Sequence, residues 1–276
     1  MPAGTPFTGV QDKPALLSEQ RNAAALATMS SRLPPTDHRP WPMPSSPWVM
    51  RQKWHDLLFM HWRIPPATLR PLIPPRLELD QFEGSAWIGI VPFRMTGVRL
   101  RGTPGIPGLS AFPELNVRTY VTFGGKPGVW FFSLDAASAI AVAAARAWFH
   151  LPYFRARMSL EAVGDEIRYR SHRTHREAPP ADLRATYEPT GKIFQARQGS
   201  LEYFLTERYC LYAAAGEKIY RGEIHHPPWP LQPARAEIAL NTMAAAQGLD
   251  LPPAPPLLHF ARFQNVWIWP LAAAHL

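Results

Sequence analysis

The sequence predicts a mainly β domain built from many short strands. Its 276 residues include 32 prolines and 17 glycines, and turn residues at this frequency suit short strands better than long helices. Apolar residues make up 46% of the chain, which is enough for a substantial core, and no internal stretch resembles a linker. These observations favour one large domain with more strand than helix.

The first part of the chain is predicted to lie outside this domain. Residues 1–47 combine Pro, Ser, Thr and Ala with few large apolar side chains. Such a composition buries too little surface to offset the entropic cost of ordering. We therefore expect a flexible N-terminal extension over residues 1–47 and a β domain over residues 48–276.

Compartment signals in the sequence indicate a cytoplasmic protein. Cys210 is the single cysteine, so an internal disulfide is impossible and a reducing compartment is favoured. The N-terminus lacks the basic and apolar regions of a secretory signal. The most apolar window, residues 136–151, contains Arg146 and is shorter than the roughly 20 residues that span a bilayer. We expect no membrane partner.

The individual elements follow from apolar alternation and from turn residues. The predicted strands cover residues 54–62, 86–95, 116–123, 129–134, 155–163, 166–172, 183–187, 211–214, 218–225 and 258–269. Residues 124–128, with the sequence GGKPG, are predicted to form the hairpin connection between the third and fourth of these strands. Helices are predicted over residues 67–72, 136–149, 201–208 and 234–247, the second of them buried and the last closed by Gly248.

Four ordered motifs carry a resemblance to a known family. They are LRPLIPP at 69–75, FPELNVRTYV at 112–121, GSLEYFLTERY at 199–209 and HHPPWPL at 225–231. These runs resemble the YqjF-like family, a domain of unknown function. That family is similar in fold to acetoacetate decarboxylase, and two segments here carry this second likeness: residues 69–80, and Leu134-Asp135 followed by AIAV at 139–142.

The resemblance implies a curled antiparallel sheet that forms a cone or barrel around a pocket, with a few peripheral helices. In the decarboxylase, two adjacent lysines enter the pocket and one forms a Schiff base with a ketone. Ungapped counting places those lysines at Leu151 and Pro152. Neither residue is a nucleophile, so the resemblance supports the fold and the pocket but not that reaction. Whether Lys53 or Lys192 supplies an amine from elsewhere is left open by the sequence.

A polar strand face provides the first candidate site. Alternation places Glu114, Asn116, Arg118 and Tyr120 on one side of a strand, and the apolar residues Leu115, Val117 and Val121 on the other. If the apolar side packs outward against the helix at 136–149, the polar side lines the interior of the cone. Arg118 would then hold a carboxylate, assisted by Asn116 and Tyr120, while Glu114 would transfer a proton. The alternative is an ordinary solvent-facing side of the strand.

Histidines provide the second group of candidates. His225 and His226 stand where a strand ends and a Pro-rich turn begins, a common place for site residues. We single out His225 as a catalytic candidate, with a structural cap on Trp229 or on a carbonyl as the alternative. His55 falls by ungapped counting where the decarboxylase carries a pocket arginine, so it is a candidate ligand contact. No spacing resembles a zinc site, and we expect no metal and no cofactor.

The expected partner is a small organic anion, such as an oxo-acid. The formal charge of +8 comes mostly from scattered arginines with no accompanying nucleic-acid motif, so we expect no nucleic-acid partner. Phosphate-binding loops and nucleophile elbows are absent from the sequence. Two functions remain: a lyase, hydratase or isomerase that does not use the lysine pair, or a non-catalytic ligand-binding or sensing protein. The sequence does not decide whether the protein forms a homo-oligomer.

Overall fold

The structure is a computed structural model that describes residues 33–104 and 110–275. The chain divides into two units, Met1–Asp37 and His38–Leu276, and the second contains all the elements below. Residues 1–32 of the predicted extension lie outside the described residues. None of the helices in the described ranges is long and apolar enough to cross a membrane.

Most strands and helices of the second unit lie near their predicted positions, and the helix predicted over residues 234–247 is the main exception. The strands are β1 (Met50–Ile64), β2 (Glu78–Leu79), β3 (Ala86–Leu100), β4 (Phe112–Phe123), β5 (Lys126–Ala136), β6 (Tyr153–Val163), β7 (Glu166–Arg173), β8 (Asp182–Pro189), β9 (Cys210–Ala215), β10 (Lys218–His225), β11 (Gln232–Asn241) and β12 (Leu257–Ala273). The helices are α1 (Pro66–Leu69), α2 (Ala139–Phe149) and α3 (Leu201–Thr206), with short 3-10 turns at Arg70–Leu72 and Ala245–Gln247.

The strands form one curled sheet that closes on itself twice. A ring of seven strands runs β1-β3-β4-β5-β9-β10-β12 and returns to β1. A second path joins β5 to β12 through β6, β7, β8 and β11. Pairing is antiparallel except where β5 meets β6 and β9. Closure satisfies backbone groups that an open sheet would leave at its edges, and it confirms the predicted curled antiparallel sheet.

Turn residues set the register of the central hairpin. Gly124 and Gly125 both have positive φ, 58° and 71°, as a two-residue turn with the twist of a β-hairpin requires. Phe123 consequently pairs with Lys126, and pairing continues from there to Glu114 and Ala136. The predicted hairpin is present, but its turn is shorter than the predicted connection over residues 124–128, because β5 already begins at Lys126.

One face of the ring strands β1 and β4 packs against the second path of strands. Met60 of β1 and Val117 of β4 belong to the same buried cluster as Tyr169 of β7 and Tyr187 of β8. Leu115 and Val121 also lie in this cluster. The apolar side of β4 is therefore covered by strands, and the expectation that the helix at 136–149 covers it is wrong.

Helix α2 differs from the prediction in a second respect. The Ser138 side chain accepts a hydrogen bond from the backbone N–H of Ala141 and caps its start, as such residues commonly do. Val142 is its one buried residue, whereas Ile140 and Trp148 are 60% and 66% exposed. The helix thus lies on the surface, and the buried helix predicted from its apolar composition is wrong.

The helix predicted over residues 234–247 is mainly strand β11. Its Ala-rich sequence favours a helix, but Ala234, Ala236 and Ile238 alternate with exposed residues and pack on the main core. Pairing with β8 and burial of this side outweigh helix propensity, which is a weak determinant in a tertiary context. Gly248 still ends the following 3-10 turn with φ 73°.

The packed part of the chain begins before the predicted boundary at residue 48. The Arg39 guanidinium donates to the carbonyl of Ile224 at 2.5 Å and to Glu223 at 3.1 Å. The Trp41 indole N–H donates to the same Glu223 carboxylate at 2.8 Å. This segment is therefore attached to the β10 strand by buried and half-buried hydrogen bonds.

Candidate functional site

The polar face of β4 lies inside the seven-stranded ring. Leu134 of β5 shares a buried cluster with Leu211, Ile224 and Val266 from three other ring strands, which is possible only for side chains that point into the ring. Leu134 is the cross-strand partner of Asn116, and directly opposed residues share a face. Glu114, Asn116, Arg118 and Tyr120 are 3%, 6%, 8% and 0% exposed.

Glu114 is paired with a tyrosine that follows helix α2. The Tyr153 hydroxyl donates to Oε2 of Glu114 at 2.9 Å. The pKa of Glu114 is raised to about 8, chiefly by burial; the hydrogen bond from Tyr153 opposes this shift, and the charge of Asp135 adds a smaller contribution to it. Removing a carboxylate from water penalises its charged form. At neutral pH, Glu114 is therefore mostly protonated and able to donate a proton, and its smaller ionised fraction can accept one.

A cavity of about 490 Å³ lies between helix α2 and the strands β1 and β3. Its wall is mainly apolar and includes Met95, Phe112 and Leu151. Tyr153 belongs to the same wall and so connects the cavity to Glu114. The volume lies within the range of small-molecule sites. Leu151, where the decarboxylase resemblance places a lysine, is thus part of the cavity wall.

The rest of the polar face lies away from this cavity. The Arg118 Nη2 donates to the carbonyl of Leu205 at 3.2 Å, and its guanidinium lies 5.4 Å from the centre of the Phe59 ring. Within the described residues, Arg118 Nε and Asn116 Oδ1 are buried without a hydrogen-bond partner. Neither side chain is in the cavity wall. Glu114 is also absent from the wall, but unlike Arg118 it is hydrogen-bonded to a residue of the wall, Tyr153.

His61 of β1 contacts this face, although it was not among the residues predicted for the site. Its Nε2 and the carbonyl of Leu205 each lie 2.7 Å from the Tyr120 hydroxyl. The carbonyl can only accept, so Tyr120 donates to it and His61 donates to Tyr120. Burial, with the charges of Arg118 and His259, holds the pKa of His61 well below its ordinary value.

Gly89, on strand β3 between β1 and β4, leaves room for the side chains of His61 and Arg118. Gly89 is the cross-strand partner of both His61 and Arg118. A Cβ added at Gly89 would lie 3.0 Å from His61 Nε2 and 3.3 Å from Arg118 Cγ. A glycine inside a strand often marks such a close approach, and it was the sequence signal that could have identified His61.

The other predicted residues lie elsewhere. His225 is fully buried, with its ring 5.5 Å from that of His38, on the opposite side of β10 from Ile224, which faces the ring interior. The His226 Nε2 lies 3.2 Å from the carbonyl of Arg208, consistent with the structural alternative for this pair. His55 Nε2 lies 2.7 Å from the Thr96 hydroxyl, and no contact joins His55 to Glu114 among the described residues.

Amines and metal ligands do not assemble at this site within the described part of the chain. Lys53 and Lys192 are both exposed and neither lines the cavity. No group of three or more His, Cys, Asp or Glu side chains in residues 33–104 and 110–275 could hold a metal ion. Among the described residues, the hydrogen-bonded acid–base pair at the cavity wall is Tyr153 with Glu114.

Comparison with known proteins adds a family and a fold. The sequence model of DUF2071, described as an uncharacterized conserved protein, matches residues 51–265. The chain is 51% identical over 229 residues to the Bacillus subtilis (strain 168) protein named "Uncharacterized protein YqjF", covering 83% of this chain and 94% of that one.

Two solved structures share the architecture at low sequence identity. The enduracididine biosynthesis enzyme MppR complexed with pyruvate is 12% identical with a TM-score of 0.56, covering 83% of this chain and 91% of that one. Acetoacetate decarboxylase from Legionella pneumophila is 15% identical with a TM-score of 0.55, covering 87% and 93%. The fold predicted from the resemblance is therefore confirmed as acetoacetate decarboxylase-like.

Proposed function

Because the chain belongs to the DUF2071 family and has an acetoacetate decarboxylase-like fold, we propose that it binds a small organic acid in the cavity beneath α2. One observation supports this most directly: Tyr153 lies in the cavity wall and donates a hydrogen bond to Glu114. A concave, mostly apolar site with a few polar groups is the usual form of a small-molecule site. The enzyme MppR, which has a similar fold, has been solved in complex with pyruvate.

The chemistry available to such a site is proton transfer. Leu151 offers no amine, so a Schiff base cannot form at that position. A carboxyl with a pKa of about 8 is close to the working pH, where general acid or base catalysis is most effective. Glu114 can donate its proton to a ligand carbonyl and later recover it. A lyase, hydratase or isomerase acting on an oxo-acid fits these groups.

A binding protein without catalysis is the second candidate. It is favoured by the cavity wall, which carries Leu151 at the superfamily's amine position and is otherwise mainly apolar. The tyrosine and carboxyl would then provide hydrogen bonds to the ligand without reaction. We also propose a cytoplasmic location, which the single, buried cysteine supports.

Arg118, Asn116 and Tyr120, which lie deeper in the ring, are also proposed to contact the ligand. Arg118 Nε and Asn116 Oδ1 are a donor and an acceptor without partners in the described residues, and buried polar atoms of this kind are uncommon. Tyr120 lies next to them but already bonds His61 and Leu205. Arg118→Met tests whether the ligand reaches this depth of the ring.

The test uses a panel of 2- and 3-oxo-acids with the full-length protein. Binding is measured by calorimetry, and exchange of the ligand's α-protons for deuterium is followed by NMR in D₂O. We expect at least one acid to bind, and Glu114→Gln to weaken binding or stop exchange. Glu161→Gln, an exposed carboxyl on β6, is the control. If no acid binds, the proposed function is wrong; binding without exchange would support the non-catalytic candidate.

A further inference from the structure

We infer that the protein has a second small-molecule site, a cleft in the wall of the ring that binds a planar aromatic acid. The cleft lies where β6 and β9 part from β5 and measures about 630 Å³, which is within the range of small-molecule sites. It is separate from the cavity beneath α2 and does not rest on the proposed function. Three features support the inference: a break in the sheet, the rings that line the cleft and the charge at its rim.

A β-bulge in β5 marks the break in the sheet. Because β4 pairs with one edge of β5 along its whole length, β6 and β9 share the other edge. On that edge β9 pairs with residues 129–130 and β6 with residues 134–136, so residues 131–133 pair with neither strand. Phe132 has no partner in β4 either, because the residues on both sides of it pair with consecutive residues of β4. Such bulges bend a strand, redirect side chains and are frequent beside functional sites.

The chain between α2 and β6 separates the cleft from the cavity beneath α2. Phe149 and Tyr153 line that cavity, whereas His150 and Phe154 line the cleft, and Leu151 contributes to both. Alternate residues of an extended segment point to opposite sides, so the two spaces lie back to back. A side chain that fills one space therefore leaves the other available.

Aromatic side chains form much of the wall of the cleft. They come from three strands: Trp130, Phe131 and Phe132 of β5, Phe154 of β6 and Tyr212 of β9. The Tyr212 hydroxyl donates to the carbonyl of Lys126 at 2.8 Å, so this residue offers the cleft its ring rather than its hydroxyl. Aromatic rings attract one another in offset-stacked and edge-to-face arrangements. A flat aromatic ligand makes such contacts with several of these rings, whereas an aliphatic ligand makes none.

The charge at the rim favours an acid over a neutral molecule. Arg146 and His150 both line the cleft and are exposed. They stand four residues apart at the C-terminal end of α2, which places them on the same side of the helix. The Arg146 Nη1 donates to the carbonyl of Tyr153 at 2.9 Å, and this bond holds the guanidinium at the rim. No acidic side chain lines the cleft among the described residues, so a ligand carboxylate meets only donors there.

The experiment measures binding of 2-naphthoate to the full-length protein by isothermal calorimetry. Two comparison probes separate its parts: 2-naphthamide has the aromatic body without the charge, and cyclohexanecarboxylate has the charge without the aromatic body. We expect 2-naphthoate to bind about tenfold more tightly than either. Arg146→Gln should weaken 2-naphthoate by roughly tenfold and leave 2-naphthamide unchanged. Arg157→Gln, an exposed arginine on β6 outside the cleft lining, is the matched control.

Two space-filling variants locate the bound acid. Ala214→Phe on β9 fills the cleft, and Ala145→Phe on α2 fills the cavity beneath α2. We expect Ala214→Phe to abolish 2-naphthoate binding and Ala145→Phe to leave it unchanged. Thermal melting checks that each variant is folded. Leu72→Trp, which also narrows the cleft at an exposed position, replaces Ala214→Phe if that variant does not fold.

The outcomes separate this inference from the proposed function. Equal binding of 2-naphthoate and 2-naphthamide, or 2-naphthoate binding that is indifferent to both Arg146→Gln and Ala214→Phe, overturns the inference. Loss of binding in Ala145→Phe alone places the acid in the other cavity, which overturns the inference and leaves the proposed function intact. If 2-naphthoate does not bind to the folded protein at all, the inference is wrong, whatever the oxo-acids do.

Discussion

Replacing Glu114 with Gln should change how the stability of the protein depends on pH. In the folded chain the Glu114 carboxyl keeps its proton up to a pKa of about 8, against an ordinary value of 4.5. Between these values the folded state binds a proton that the unfolded state has lost, so the free energy of unfolding falls as pH rises. At about 1.4 kcal/mol per pH unit, this group alone removes about 4 kcal/mol between pH 5 and pH 8.

The glutamine variant lacks this titration, so its stability relative to wild type should rise across the same range. Urea denaturation followed by tryptophan fluorescence at several pH values gives the free energy of unfolding of both proteins. Buried histidines such as His61, whose pKa is held well below its ordinary value, add their own pH dependence, but they are common to both chains and cancel in the difference. Glu161→Gln should show no such trend. A difference between Glu114→Gln and wild type that stays flat from pH 5 to pH 8 would refute the argument.

Two further predictions concern the frame around the site. The Arg173 guanidinium donates two hydrogen bonds to Asp135, at 2.8 and 2.9 Å, and both side chains are almost fully buried. Asp135→Asn should therefore lower the free energy of unfolding by about 3–5 kcal/mol, measured by urea denaturation. A decrease below about 1 kcal/mol would contradict this prediction. A chain starting at His38 should melt like the full-length protein, whereas one starting at Ser46 lacks Arg39 and its buried hydrogen bonds and should melt several degrees lower. Equal melting of the two truncated chains would show that these bonds add nothing.

The sequence alone was sufficient to predict the positions of most strands along the chain. Strand positions depend on local alternation and on turn residues, and both are visible in segments such as 116–123 and at Gly124-Gly125. The same alternation put Glu114 and Arg118 on one face of β4, because side chains in a strand have a period of two. The family motifs added the closed, cone-like form, which local patterns do not contain.

Only the tertiary structure decided what covers each face and which groups meet. Residues 234–241 became a strand because pairing with β8 outweighed their helix propensity. The contact of Tyr153 with Glu114 joins residues far apart in the chain, and the raised pKa of Glu114 comes from burial that no local pattern shows. The cavity beneath α2 likewise arises from the packing of separate elements. Such features depend on long-range packing, whereas periodicity records only which side of a strand a residue occupies.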